Sequence, residues 1–489
     1  MTQRWMWLIL GLAALTLAGA SSSEFDRYFL DKTMRLDYYH IGHAQQEFIT
    51  LDRILEQGTW AGPLRNLIDT LDRGRYQAKV FDAVSDRLIF SRGFDSYFGE
   101  YRTTAPAQQG IRRTYHESVL IPFPKAKVKL VIEAFDRQNQ PRPIFSQEID
   151  PASSSVVREP LSRDVKVFDL LTGGDPHLKV DIAFLAEGYT LAEEDKLKAD
   201  LERFVRILFS QEPYRSQKQA FNVRGVWRPS QESGCDEPSH GSFKNTALGA
   251  SFDSLGLERY LLTEDNRSLR DIAGHVPYDT LFLMVNHRRY GGGGIYNFYC
   301  VFTTDNQWQE YLILHEFGHS FAGLGDEYYI SSVAYNDFYP PGVEPRDPNL
   351  TALLNPAQLK WKDALTPGTP VPTPWEKEAY DAMDGANQKI RAEVNERLAR
   401  LKREGAPREQ VEKVEQEAET LSRQHARQVD DFLARSRFAG QVGAFEGAGY
   451  TSRGLYRPMV DCLMFTKGTK ALCRVCEQAV ARVIRFYSE

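Results

Sequence analysis

The hydrophobic periodicity of the chain changes at about residue 150, and this change predicts two domains of different fold class. Between about residues 25 and 150, short segments alternate apolar and polar residues, as in 33–39, 76–81 and 128–134. This alternation, with turn residues between the segments and few helical stretches, is typical of an antiparallel β-sandwich. We therefore predict an all-β sandwich over 25–150, which ends in a linker-rich stretch at 151–160.

Strands and long helices alternate after the linker. Residues 180–185, 221–227 and 280–285 form apolar runs typical of buried strands, and 191–209 have the spacing of an amphipathic helix. This order predicts an α/β or α+β domain over 160–489. The length of 489 residues also fits two or more domains better than one.

A highly charged segment at 375–438 interrupts the second domain. Apolar residues recur at three- and four-residue steps on both sides of Gly405-Ala406-Pro407. The pattern predicts an inserted antiparallel helical hairpin with arms of about 40 Å, at 1.5 Å per residue. It is either an arm that contacts substrate or partner or a solvated structural hairpin, and the charge pattern favours the second interpretation.

The first twenty residues have the features of a secretory signal peptide. Arg4 precedes an apolar run at 5–17, and Ala18-Gly19-Ala20 supplies small residues for cleavage. The run is shorter than the ~20 apolar residues that span a bilayer. We expect a secreted, periplasmic or extracellular protein, with no membrane association after cleavage. The formal charge of −6 gives no reason to expect nucleic-acid binding.

The five cysteines suit an oxidising compartment. Bridges between Cys235 and Cys300, and between Cys462 and either Cys473 or Cys476, are plausible, and the fifth thiol then stays free. For the Cys473-x-x-Cys476 pair, structural thiols or a disulfide are favoured over a zinc or redox role, because the sequence has no second pair at the matching spacing.

The strongest chemical signal is the stretch at 312–328, which contains His315, Glu316 and His319. Residues four apart lie on one face of a helix, so both imidazoles can bind one metal ion, and the ion favoured by this pattern is zinc. Glu316 is then placed to act as general base toward water. Thr304 and Gln307 predict a capping box that starts this helix.

The acidic residues after the helix predict the third ligand. Glycines at 323 and 325 allow the chain to turn back, and Asp326 follows at once, with Glu327 as the alternative. A catalytic zinc site needs three protein ligands and one open position. The competing interpretation is a pair of core histidines. His240, His275 and His287 have no ligand spacing and are expected to be surface or core residues.

The sequence resembles the IgA-peptidase family of secreted bacterial metallopeptidases, in which a sandwich domain precedes a zinc catalytic domain. The resemblance lies in residues 180–189, 221–223, 233–234, 291–294, 315–328, 371–374, 456–458, Cys462 and Met464. The family is similar to the metzincins, which implies a zincin-like fold. The metzincin third ligand comes six residues after the second histidine; here that position is Gly325, and Asp326 is seventh. A methionine turn below the metal is expected at Met464, or else at Met459.

Together these features predict a secreted zinc-dependent metalloendopeptidase acting on a protein or peptide. Tyr456 or Tyr328 is expected to donate a hydrogen bond to the oxyanion. The run at 290–297, followed by 298–303, predicts a flexible turn into an edge strand that pairs with extended substrate. Two alternatives remain: a zinc hydrolase of non-peptide bonds, and a catalytically silent surface or binding protein. The sequence defines neither the substrate nor the oligomeric state.

Overall fold

The structure is a computed structural model that describes residues 23–330 and 338–489. The predicted signal peptide at 1–20 lies outside the described residues. Within the described ranges, no helix combines the length and apolar composition needed to cross a membrane. The helices are α1 (Glu24–Tyr28), α2 (Tyr97–Tyr101), α3 (Ala105–Gln108), α4 (Glu194–Leu208), α5 (Asn266–Ala273), α6 (Gln309–Ala322), α7 (Lys377–Arg403), α8 (Arg408–Ala434) and α9 (Arg474–Ser488).

The strands of the N-terminal part are β1 (Phe29–Gly42), β2 (Glu47–Gln57), β3 (Tyr76–Asp82), β4 (Leu88–Phe94), β5 (Arg113–Pro124), β6 (Val128–Phe135), β7 (Pro141–Ile149) and β8 (Val156–Val157). The strands of the second part are β9 (Lys166–Leu171), β10 (Val180–Glu187), β11 (Phe221–Trp227), β12 (Ala250–Ser251), β13 (Leu262–Thr263), β14 (Thr280–Val285), β15 (Gly292–Ile295), β16 (Tyr299–Thr303), β17 (Phe445–Ala448) and β18 (Thr451–Arg457).

The N-terminal part is a β-sheet domain. Its two four-stranded sheets have the orders β5-β1-β2-β8 and β4-β3-β6-β7. Buried side chains of both sheets, such as Met34 and Val80, belong to one hydrophobic core. The alternating segments predicted as strands are confirmed in β1, β3 and β6. Val156, in the predicted linker, pairs with Ile54 of β2, so part of that segment completes the first sheet.

The second part is a mixed α/β region built on a six-stranded sheet of order β15-β16-β14-β10-β11-β9. The four inner strands are parallel, and the two edge strands are antiparallel to their neighbours. The strands predicted at 221–227 and 280–285 have those bounds in the structure. Because both faces of the inner strands are covered, their side chains are buried almost without alternation. Helix α6 follows β16 and packs against this edge of the sheet.

Helices α7 and α8 form the predicted antiparallel pair, with a turn at residues 404–407. The pair packs on the second part of the chain at more than one point along its length. Midway along α8, Trp308 Nε1 donates to Ser422 Oγ over 3.0 Å. Near the tip, an Arg403 guanidinium nitrogen donates to the carbonyl of Ser239 over 3.2 Å. The pair is therefore held against the protein and does not project freely into solvent.

The disulfide expectation was wrong, since all five cysteines lie in the described ranges and carry free, buried thiols. Cys235 and Cys300 belong to different core clusters, and no disulfide joins them. Cys300 lies in β16, and its thiol approaches the carbonyl of Leu281 at 3.8 Å. Cys462, Cys473 and Cys476 do lie close together, without a bond between any two of them.

Candidate metal centre

Helix α6 carries His315, Glu316 and His319 in the interior of the protein, and Gly323 ends it in the left-handed conformation, with φ of 56°. The predicted capping box at its start does not form. The helix begins at Gln309 after Trp308, because Thr304 and Gln307 bond elsewhere. The Thr304 hydroxyl donates to the carbonyl of Val285, and the Gln307 amide donates to the backbone of α8.

The two histidines point their Nε2 atoms at each other, 3.2 Å apart. Their Nδ1 atoms face backbone carbonyl oxygens, with His315 3.2 Å from Leu463 and His319 2.6 Å from Leu324. A proton on each Nδ1 satisfies these carbonyls and leaves the Nε2 lone pairs directed into the centre. Sequence reasoning missed both carbonyls, because backbone acceptors leave no residue-type signal.

Asp326 completes the centre. Its Oδ1 lies 3.1 Å from His315 Nε2 and 3.2 Å from His319 Nε2, and this buried oxygen accepts no hydrogen bond from the described residues. Burial opposes ionisation, but the two histidines hold the pKa of Asp326 well below its usual range. Burial likewise lowers the pKa of His319, yet the Asp326 carboxylate outweighs burial and raises it to about 9. A positive charge between the Asp326 carboxylate and the imidazoles therefore stabilises this arrangement.

The residues present fit a metal ion. When both imidazoles are neutral, their Nε2 atoms and the Asp326 oxygen are all acceptors, and a metal ion between them satisfies all three. Ligands about 2.0–2.1 Å from a tetrahedral zinc ion are separated by about 3.3 Å, close to the distances of 3.1–3.2 Å observed here. Donor atoms of His315, Glu316 and His319 also lie within 4.8 Å of one another. Of the two carboxylates, Asp326 is at ligand spacing from both imidazoles.

Glu316 lies beside these ligands on the wall of the cleft. It is buried, and burial raises the pKa of its carboxyl group. Among the described residues none is hydrogen-bonded to this carboxylate, so its oxygens are available to water or substrate. A Cβ atom on Gly292 of β15 would lie 2.7 Å from Glu316 Oε1. The edge strand and the carboxylate are therefore in contact.

The glycine run has a different role in the structure from the one predicted, which was a turn leading into the edge strand. The run itself forms edge strand β15, and residues 299–303, predicted as the edge, form the next strand inward. A Cβ on Gly294 would lie 2.4 Å from the carbonyl oxygen of Glu316. The glycines thus allow the strand backbone to lie directly on α6.

Glu327, the alternative ligand, lies apart from the histidines. Its carboxylate accepts from Asn349 Nδ2 over 3.0 Å and from the Cys476 thiol over 3.2 Å. Met464 lies beneath α6, where a Cβ added to Gly318 would be 2.9 Å from its sulfur. The backbone carbonyl of Met464 accepts from the amide of Glu327 over 2.9 Å. Met464 thus occupies the place expected of a methionine turn.

A cavity of about 280 Å³ opens over the histidines, Glu316 and Asp326. Tyr328 lines it, whereas Tyr456 does not. Tyr456 lies in β18, where its backbone pairs with Thr351, and its half-buried side chain is not part of the cavity lining. The geometry therefore gives no support to Tyr456 as an oxyanion donor. Arg259, which the sequence did not single out, donates to the Tyr328 hydroxyl over 3.3 Å.

Several regions besides α6 line the cavity, and three of them are the N-terminal domain, β15 and the α7–α8 pair. The N-terminal domain contributes residues that include Arg75 and Glu100, and edge strand β15 contributes its glycines. The α7–α8 pair forms a third wall, with Arg391 and Leu421 among its lining residues. The helical pair thus borders the cleft, which the interpretation as a solvated structural hairpin did not anticipate.

The three histidines without ligand spacing do not join the centre. His240 and His287 bind Glu237, at 2.6 and 3.2 Å. His275 bonds to the carbonyls of Ile272 and Ser162. Each has local partners, in agreement with the prediction.

Comparison with known families matches both parts of the chain. A family model described as IgA Peptidase M64 matches residues 168–484, and one described as Peptidase M64 N-terminus matches residues 24–146. The chain belongs to the IgA Peptidase M64 family. It is therefore a metallopeptidase, and its substrates are proteins or peptides. No match was found among curated proteins.

Proposed function

We propose that this member of the IgA peptidase family is a secreted zinc-dependent endopeptidase, in which His315, His319 and Asp326 hold the metal and Glu316 is the general base. The observation that carries the proposal is the convergence of two imidazole nitrogens and one carboxylate oxygen at 3.1–3.2 Å from one another. Three protein ligands leave one tetrahedral position open for water or a substrate carbonyl. The N-terminal stretch supports secretion, since it has the pattern of a cleavable signal.

When bound, a zinc ion supplies Lewis-acid polarisation of the scissile carbonyl and makes water more acidic. Glu316 accepts the proton that water loses as its oxygen attacks the peptide carbon. The same carboxyl group then delivers that proton to the leaving amine nitrogen. Burial, which raises the pKa of Glu316, makes its carboxylate a better proton acceptor than an exposed one.

The tetrahedral oxyanion needs a donor on the wall of the cleft. Tyr328 is placed for this role because it lines the cavity and its ring packs at a centroid distance of 6.3 Å from the ring of His315. The Arg259 guanidinium is hydrogen-bonded to the Tyr328 hydroxyl. Its positive charge stabilises the negative charge that develops on an oxyanion beside Tyr328. Tyr328 therefore replaces Tyr456 as the proposed oxyanion donor.

The shape of the cleft favours an extended chain as substrate. Strand β15 is the edge of the sheet and borders the cavity. Its first residue, Gly292, is bridged to Tyr260, and the backbone groups beyond Gly292 can pair with a peptide backbone. Such pairing is independent of side-chain sequence. This feature favours endopeptidase activity over hydrolysis of small non-peptide substrates.

The proposal is tested by measuring metal content and peptide-library cleavage for the wild type and for Glu316→Gln. The variant is expected to keep its zinc and to lose at least about 100-fold in kcat, the usual contribution of a general base. Glu310→Gln is the matched control, because Glu310 is an exposed residue of the same helix. It is expected to match the wild type in both measurements.

Two results would overturn the proposal. Purified wild type that holds zinc but cleaves no peptide in a broad library would favour the silent binding protein. Wild type that cleaves peptides with zinc absent, after chelation and dialysis, would exclude the metal mechanism.

A further inference from the structure

A second group of metal-type ligands includes Glu327, the residue that follows Asp326. Donor atoms of Glu327, Cys462, Cys473 and Cys476 all lie within 4.8 Å of one another, and we refer to these four residues as the cysteine–glutamate cluster. They come from three segments of the chain: the loop after α6, the segment that carries Met464, and the start of α9. All four side chains are buried.

The spacing of the sulfur atoms suits a shared ion. Cys462 Sγ lies 3.9 Å from Cys476 Sγ, and the S–S bond of a disulfide is only about 2.05 Å long. Thiolates bound to tetrahedral zinc at about 2.3 Å are separated by about 3.8 Å. A disulfide would also use two of the three sulfurs and leave the third buried beside a carboxylate.

Backbone amides are directed at one of these sulfurs. The amide of Cys473 lies 3.2 Å from Cys462 Sγ, and that of Met464 lies 3.5 Å from the same atom. Amide donors stabilise a thiolate more than a thiol, since the thiolate carries the negative charge. At Cys462 these amides oppose burial, which raises the pKa of the thiol, so the amide contacts fix the position of the sulfur but do not by themselves ionise it.

One oxygen of the Glu327 carboxylate lacks a hydrogen-bond partner among the described residues. Oε1 accepts from Asn349 and from the Cys476 thiol, but Oε2 is buried without a hydrogen-bond partner among the described residues. A buried carboxylate oxygen without a partner is costly. Burial raises the pKa of Glu327 well above its usual range and outweighs the fully buried guanidinium of Arg457, which acts to lower that pKa.

We propose that the cysteine–glutamate cluster is a second, structural metal site that binds one zinc ion through three thiolates and the Glu327 carboxylate. Four protein ligands leave no open position, which is the mark of a structural site rather than a catalytic one. The inference does not depend on the proposed function, since none of the four residues contacts the cavity over His315.

The cluster lies where a bound ion would stabilise the segments around the histidine centre. Glu327 is adjacent in sequence to Asp326, and Cys462 lies two residues before Met464, which packs under α6. One ion bound by both segments and by α9 would fix the loop that presents Asp326 and the turn that supports the histidine helix. Loss of this ion is expected to weaken metal binding at the first site indirectly.

The first test is zinc content of the purified full chain by elemental mass spectrometry. Two zinc ions per chain are expected for the wild type and one for Cys473→Ser. His319→Ala is expected to retain one ion, held by the cysteines, so failure of the catalytic site and failure of this site give different results. Cys235→Ser, a change at a buried cysteine outside the cluster, is the matched control and is expected to retain two.

Cobalt provides a readout that is independent of activity. Co²⁺ in the cluster is expected to give an intense thiolate-to-metal charge-transfer absorption in the wild type and in His319→Ala, and none in Cys473→Ser. If Cys473→Ser fails to fold, the wild type alone suffices: a thiol-reactive mercurial is expected to release one zinc per chain. A wild type without that absorption and without thiol-linked zinc would overturn the proposal, as would a Cys462 disulfide found by mass spectrometry under non-reducing conditions.

Discussion

The hydroxyl of Tyr450 donates a hydrogen bond of 2.6 Å to Oδ2 of Asp326. The other oxygen of this carboxylate, Oδ1, faces the two histidines. One oxygen is thus held by the protein while its partner is left for a metal ion. The bond joins the loop after α6 to the β17–β18 hairpin and fixes the direction in which Oδ1 points.

Tyr450→Phe removes this bond and leaves the ring in place. We expect metal affinity at the histidine centre to fall about 10- to 100-fold, the usual effect of losing a partner that orients a ligand. Competition with a zinc-binding dye measures this change. Tyr39→Phe, a change at a tyrosine whose side chain is exposed, is the control. Unchanged affinity in Tyr450→Phe would show that the Asp326 carboxylate is held by the rest of the loop.

Close packing of β15 on α6 leads to a second prediction. A Cβ on Gly294 would lie 2.4 Å from the carbonyl oxygen of Glu316 and 2.8 Å from the Cβ of His319. Neither atom can move without moving the helix. Gly294→Ala is therefore expected to destabilise the protein by about 1–3 kcal/mol and to reduce peptide cleavage, both measured on the same preparation.

Gly385→Ala is the control for this substitution. Gly385 lies within α7, and a Cβ there would meet no atom within 4 Å. Alanine is expected to stabilise that helix by up to about 1 kcal/mol. If denaturant unfolding gives both variants the same stability, the contact between β15 and α6 is not tight.

The parts of the site that lie close together in sequence were predictable. His315 and His319 are four residues apart on a helix, and Asp326 follows the glycine turn that ends it, so local geometry was enough to bring them together. Tyr450 and Asp326 are 124 positions apart, and Leu463 reaches His315 from a similar separation. No periodicity links such residues, because their meeting depends on how the whole domain packs.

The cysteines illustrate a different limit. An oxidising compartment favours bridges as a general rule, but sequence does not state which sulfur atoms meet. Cys300 is directed into the core on one face of the sheet, whereas Cys235 belongs to the core on the other. Cys473 and Cys476 lacked a matching second pair in sequence, because their companions, Cys462 and Glu327, come from two separate segments. Only the fold shows that these four ligands meet.

A buried ionic cluster in the N-terminal domain predicts how stability depends on pH. Glu47 accepts from His40 over 3.1 Å and from Arg102 over 2.8 Å, and it also pairs with Arg142. Burial opposes ionisation of Glu47, but the hydrogen bond from His40 and the two arginines lower its pKa from 4.5 to about 2. A lowered pKa in the folded state means that its stabilisation is present above pH 4.5 and lost as the pH falls toward 2.

The difference in pKa corresponds to about 3 kcal/mol of unfolding free energy. Glu47→Gln is expected to be clearly less stable than the wild type at pH 6, with a difference that shrinks as the pH approaches 2. Glu148→Gln, at an exposed position of β7, is expected to follow the wild type throughout. Denaturant unfolding of the full chain across this pH range provides the measurement. A difference between wild type and Glu47→Gln that is constant with pH would contradict the prediction.

Positive charge on the hairpin side of the cleft predicts a preference for acidic substrate residues. Arg259 and Arg391 both line the cavity, and burial together with the nearby charge of Arg259 lowers the pKa of Arg391. Asp384, a carboxylate of the same helix, is engaged by His425 at 2.8 Å. An aspartate or glutamate of a bound peptide would relieve the repulsion between the two guanidinium groups.

Arg391→Gln is expected to reduce the preference for acidic over neutral residues near the cleaved bond by about tenfold, or roughly 1.4 kcal/mol. The ratio of kcat/KM for two peptides that differ by one Glu-to-Gln change measures this preference directly. Lys389→Gln is the matched control, since Lys389 is an exposed cation on the same helix and does not line the cavity. Because high salt screens exposed charges more than buried ones, the wild-type ratio is expected to survive moderate salt. An equal ratio in all three proteins would mean that the arginines serve the packing of the hairpin and do not select substrate.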